Sequence, residues 1–144
     1  HLARATIALS YILPNDALEA LYPIGTVDSE EQQLNSAFSY RIHFSGKVPA
    51  GAFWSLIAYD FPAVRLIENG YGKYAVSDRT AELALNEDGS LDLYLASQPV
   101  PGTPESNWLP VPEGDFSVVL RLYEPAPEVA DGRWSPPAIE RLEN

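Results

Sequence analysis

The feature that most restricts this chain is a period of two. From Phe116 to Tyr123 the residues alternate, with Phe116, Val118, Leu120 and Leu122 on one side and Ser117, Val119, Arg121 and Tyr123 on the other. Leu91, Leu93 and Leu95 alternate in the same way against Asp92, Tyr94 and Ala96, as do Phe38, Tyr40, Ile42 and Phe44 against Ser39, Arg41 and His43. Successive side chains of a strand point to opposite faces of its sheet, so each row predicts a half-buried strand. Phe53–Tyr59 is apolar on both sides and predicts a strand covered twice. Leu21–Val27, Tyr74–Val76 and Ile139–Leu142 complete a set of seven or so, separated by turns such as Asn86-Glu87-Asp88-Gly89. Thirteen prolines suit loops and sheet edges. The expected fold is a mainly β, jelly-roll-like β-sandwich.

The first twenty residues read differently. Leu2, Ala5, Leu9, Ile12 and Leu13 recur at spacings of three and four and predict a short N-terminal helical segment that Pro14 ends. Asp16 followed by Glu19 has the spacing of a capping box for a second short helix. At 144 residues the chain is sized for one domain, 1–144, with a helical lead-in over 1–20 and the sandwich over 21–142. Pro99–Gly114 reads as one long Pro-rich loop, a kind that is usually functional or packed by its own side chains.

Composition excludes several chemistries. No cysteine is present, which removes disulfides, thiolate metal sites and cysteine nucleophiles, and leaves the cellular compartment undetermined. Twenty acidic residues against nine Lys and Arg give a net charge of −11, so nucleic acid is not an expected partner. No apolar run approaches the ~18 residues of a membrane span, so no membrane partner is expected. With only His1 and His43, a multi-histidine metal site is not expected, and no cofactor is called for. A copper site built on a free N-terminal His1 and His43 is weighed against a tag remnant and a solvated strand histidine, which ask for less. A Ser-His-Asp triad could use only those two histidines, and no Gly-x-Ser-x-Gly elbow exists. Gly70-Tyr71-Gly72-Lys73 has neither the length nor the following helix of a phosphate loop. The chain contains no methionine, so a trimmed product or a segment of a longer protein is expected.

Five blocks then carry a resemblance. They are Phe53-Trp54-Ser55-Leu56 with Tyr59-Asp60; Tyr74-Ala75-Val76-Ser77-Asp78-Arg79-Thr80; Asp88-Gly89-Ser90-Leu91-Asp92-Leu93-Tyr94; Glu105-Ser106-Asn107-Trp108-Leu109-Pro110, running on to Leu120-Arg121-Leu122-Tyr123; and Asp131-Gly132-Arg133-Trp134 with Pro136-Pro137. In this order they resemble the domain-of-unknown-function family 1214, often the C-terminal half of proteins whose N-terminal half is the 1254 domain. The resemblance implies a jelly-roll-like sandwich and no particular activity. The chain departs from that arrangement in lacking the N-terminal half. It departs also at Phe61–Ile67, where relatives carry a more polar turn.

Candidate site residues follow from these blocks. Asp60 and Asp78 stand just beyond predicted strands and beside aromatic residues, where desolvation would raise a carboxyl pKa and suit acid–base work. Arg121 would stabilise developing negative charge. Trp54, Tyr59, Tyr74, Arg79, Trp108 and Tyr123 are the aromatic and cationic groups expected around a ligand. Each has a plainer role: Asp78-Arg79 as a loop-closing ion pair, Arg121 paired to Asp60 or Asp78 inside a core network, Trp108 as a plug rather than a lid. Two functions fit. One is a module that binds an apolar small molecule or assembles with copies of itself or a partner domain. The other is an enzyme without cofactor, an isomerase, cyclase or lyase acting on a hydrophobic small molecule.

Overall fold

The computed structural model describes residues 7–8 and 20–143. Ten strands form two sheets among the described residues: β1 (Ile7–Ala8), β2 (Ala20–Leu21), β3 (Ile24–Gly25), β4 (Tyr40–Phe44), β5 (Ala50–Asp60), β6 (Ala75–Ser77), β7 (Leu91–Ala96), β8 (Trp108–Pro110), β9 (Phe116–Pro125) and β10 (Ile139–Arg141). The six-stranded sheet has the order β1-β3-β9-β5-β6, with β2 also paired to β9. The four-stranded sheet has the order β10-β4-β7-β8. Every pairing is antiparallel except β7 with β8.

The alternation decides which way each strand faces. Leu56 opposes Leu120 and Trp54 opposes Leu122 in the β5–β9 ladder, and all four are buried. Tyr40, Ile42 and Phe44 oppose Leu95, Leu93 and Leu91 in the β4–β7 ladder and are buried likewise. Both rows belong to a single hydrophobic cluster, which joins the two sheets. Each fully buried Leu, Ile or Phe contributes about 1.5–3 kcal/mol before the entropy of ordering is set against it. Phe38 falls outside the cluster: it lies beyond the end of β4, is 40% exposed, and carries the Arg141 guanidinium over its ring at 4.4 Å.

One close approach favours a glycine. The β5–β9 register slips between Ala50 and Phe53, and a Cβ on Gly51 would stand 3.1 Å from the Glu124 carbonyl oxygen. Glu124 itself takes a φ of 53° there, as one residue of a bulge commonly does.

Three expectations change. The helical lead-in is not supported: Ile7–Ala8, in the middle of it, pairs as a strand with Ile24–Gly25, and the rest of residues 1–19 lies outside the described residues. An open strand edge offers a ladder of unpaired backbone groups, which outweighs a local helical spacing. The strand foreseen at Leu21–Val27 is two short ones, split at Tyr22-Pro23, because proline has no N–H to continue the ladder. The loop foreseen over Pro99–Gly114 contains a 3-10 turn at Glu105–Asn107 and β8, whose three residues are all buried.

Candidate functional site

The turn after β6 helps to build a cleft. Asp78 N–H donates to the Trp54 carbonyl at 3.4 Å, Ser77 N–H donates to Thr80 Oγ1 at 2.8 Å, and Leu83 N–H donates to the Thr80 carbonyl at 3.3 Å. These bonds fold residues 78–85 back beside Trp54, whose ring is buried 6.4 Å from that of Phe44. Between this turn and the β4–β5 connection lies a cleft of about 630 Å³, within the usual range for small-molecule sites. Val48, Trp54, Leu83, Leu85 and Leu91 wall it, and Lys47, Asp78, Thr80 and Glu82 edge it. Its inner wall is the core itself, since Val48, Trp54 and Leu91 belong to the central cluster. Leu85 is 62% exposed.

Arg121 and three tyrosines gather elsewhere, on the outer face of the six-stranded sheet. Arg121 Nη2 donates to the Tyr59 hydroxyl at 3.2 Å, its guanidinium lies 5.3 Å from the Tyr22 ring, and the Tyr22 and Tyr123 hydroxyls are 3.2 Å apart. Bonding to Tyr123 and burial push the Tyr22 phenol above its ordinary pKa, so it stays protonated. Partial burial works against the Arg121 charge, but the Tyr59 and Tyr123 oxygens outweigh it. Its Nε is buried without a hydrogen-bond partner among the described residues, as is Ser117 Oγ four positions earlier on β9. Arg79 joins the same face by stacking on Phe53 at 4.5 Å, and Phe53 in turn packs against Tyr123.

The remaining sequence candidates do not converge on either place. Asp60 ends β5 and accepts from Arg65: backbone N–H at 2.6 Å, Nη2 at 2.9 Å and Nε at 3.2 Å. The backbone bond first, then the guanidinium, holds this carboxyl below its ordinary pKa, whereas desolvation was expected to raise it. Asp60 and Trp54 are six positions apart on β5, about 20 Å of strand. Tyr74 lines a smaller recess with Asn69, and its hydroxyl accepts from Asn69 N–H at 3.3 Å. Trp108 is 2% exposed but stands outside the central cluster, its indole Nε1 donating to the Ala96 carbonyl at 2.9 Å. Lys73 and Tyr71 pack on that indole at 5.8 and 4.7 Å, which gives Gly70-Tyr71-Gly72-Lys73 a packing role. Trp54 and Asp78 are therefore the two candidates that the Trp54 cleft brings together. Lys47, Leu83 and Leu85 were not singled out in the sequence, where nothing distinguishes them from ordinary loop residues.

The model of the family described as "Protein of unknown function (DUF1214)" matches residues 19–127. No curated protein matches the chain. Among solved structures, the VPA0106 protein from Vibrio parahaemolyticus is 25% identical, with a TM-score of 0.77 over 87% of this chain and 31% of its own. An uncharacterised protein from Burkholderia cenocepacia is 21% identical, with a TM-score of 0.49 over 88% of this chain and 30% of its own. The chain thus spans about a third of the length of the solved structures it matches.

Proposed function

We propose that this chain, which belongs to the DUF1214 family of proteins of unknown function, is a module that holds an apolar small molecule in the cleft beside Trp54. In this reading the two sheets make one domain, a jelly-roll-like sandwich, and the cleft lies at the end of its layers where Val48, Asp78 and Leu91 meet. The observation that carries the proposal is continuity: a cleft of about 630 Å³ whose apolar wall is the hydrophobic core itself. The rim sets the polarity of the guest. Two carboxylates, Asp78 and Glu82, stand against one ammonium, Lys47, which favours a neutral or cationic head over an anionic one.

Backbone and indole resonances test this in an NMR titration with cyclohexylmethylamine and with cyclohexanecarboxylate. The amine shifts Trp54, Thr80 and Leu83 saturably, and the carboxylate binds at least about tenfold more weakly, a difference of roughly 1.4 kcal/mol. Leu85→Trp, a change at an exposed position, fills the mouth and abolishes the shifts. Shifts scattered over the surface, or unaltered by Leu85→Trp, overturn the proposal.

The enzymatic alternative, an isomerase, cyclase or lyase on a hydrophobic substrate, would place its acid–base group at Asp78, the carboxylate that both edges this cleft and follows a strand. The assembly version rests on a separate observation. Val64, Leu66, Ile67 and Tyr71 are 39–52% exposed within one short segment.

A further inference from the structure

A second cleft shares the Gly46-Lys47 rim with the first and has the same volume, about 630 Å³. Phe44, Trp134 and Pro137 form its apolar side, and His43, Lys47 and Arg133 its polar side. For this chain that composition is unusual. Twenty acidic residues are spread over the molecule, yet none lines this cleft, while three groups able to carry positive charge do.

Acids do occur close by, but they stand behind the cations. Asp131 Oδ2 accepts from Arg133 Nε at 2.8 Å, and its Oδ1 accepts from Arg133 N–H at 3.1 Å. Asp92 Oδ1 lies 2.6 Å from His43 Nδ1, and Asp92 Oδ2 accepts from Asn86 Nδ2 at 3.2 Å. Such exposed pairs add little stability, about 0–1 kcal/mol each. Their effect is to orient, leaving the Arg133 Nη groups as donors still on offer, while His43 Nε2 donates only when the ring carries both protons. Trp134 is anchored as well: its N–H donates to the Glu128 carbonyl at 2.8 Å, and it packs against the core. The net charge of −11 repels anions at long range, but that field is screened beyond about 8 Å in physiological salt, so the local cations decide.

We infer that this cleft binds an organic anion, its charged oxygens held by Arg133 and Lys47 beside His43 and its apolar body laid against Trp134. Planar guanidinium matches a carboxylate or phosphate oxygen pair, and the aromatic wall selects a guest with a flat or greasy body. The preference is opposite to that of the Trp54 cleft, and Arg133 does not line that cleft, so either reading can fail without the other.

Benzoate and benzyl alcohol share a ring and differ in charge, and they are the probes for an NMR titration. Benzoate is expected to shift the Trp134 indole N–H and the His43 ring signals saturably, and benzyl alcohol to bind at least about tenfold more weakly. Arg133 is 68% exposed, so Arg133→Gln keeps the fold, which an otherwise unchanged amide spectrum verifies. It weakens benzoate at least about fivefold, and Arg133→Lys recovers part of the loss. Equal binding of the alcohol, benzoate affinity unchanged in Arg133→Gln, or shifts centred on Trp54 would each overturn the inference.

Discussion

Asn107 is 2% exposed and uses its whole amide. Oδ1 accepts from Ala84 N–H at 2.9 Å and from Ser106 Oγ at 3.2 Å, while Nδ2 donates to the carbonyls of Ala84 and Asp92, both at 2.8 Å. One side chain thus ties the 3-10 turn to the segment after β6 and to β7. Asn107→Ala strands backbone groups that burial has cut off from water, and we expect it to destabilise by about 2–4 kcal/mol. Asn107→Asp should cost at least as much, because a carboxylate there faces two carbonyls with no hydrogen to give. Urea unfolding of both variants, compared at an unchanged m-value, measures this. In the sequence Asn107 reads as a turn residue bonded to its neighbours. Apart from Ser106 Oγ, its partners are 15 and 23 positions away, and no local spacing announces them.

β8 is the element that sequence reasoning passed over. Its three residues stand among Pro104, Pro110 and Pro112, a composition that reads as loop. Pairing nevertheless succeeds, parallel to β7, because Trp108 and Leu109 are buried and Pro110 closes the strand at the rim of the sheet. A plug and a lid differ in what their loss costs. Trp108→Ala, which empties a fully packed position, is expected to destabilise by about 3–5 kcal/mol. Tyr71→Ala removes a half-exposed ring from the edge of the same indole, and less than about 1 kcal/mol is expected. Thermal and urea unfolding separate the two, and near-equal costs would show that Trp108 depends on its cover. β9 lies at the other extreme. It is the most regular row in the sequence and the most central strand of its sheet, with β5 on one side and β2 and β3 on the other.

Across the molecule, no helix among the described residues is long and apolar enough to cross a membrane. Val64, Leu66, Ile67 and Tyr71 are exposed within one short segment, and apolar residues grouped at a surface mark contact sites. If this segment joins copies of the chain, sedimentation velocity will show mass rising with concentration. The rise should be steeper at about 0.5 M salt, where repulsion between chains of net charge −11 is screened. Leu66→Asp with Ile67→Asp should hold the chain monomeric under both conditions. A single monomeric species at every concentration would remove self-assembly from consideration.

What was legible in advance is the facing of the strands. Alternation is a property of the extended backbone at each residue, so that Leu120 and Arg121 face opposite ways can be read without knowing any neighbour, whereas the core network expected around Arg121 gave no hint that it faces outward. The carboxylate partner foreseen for Arg121 was not legible in this way: among the described residues it bonds to Tyr59 instead. The neighbours and the clefts were not legible either. Trp54 meets Leu83 and Leu85, and Arg133 meets Lys47 and His43, only because strands far apart in the chain pair and carry their connecting loops to the same end. Those pairings are settled by the burial of a shared core, a sum over the whole chain that no short stretch of it encodes.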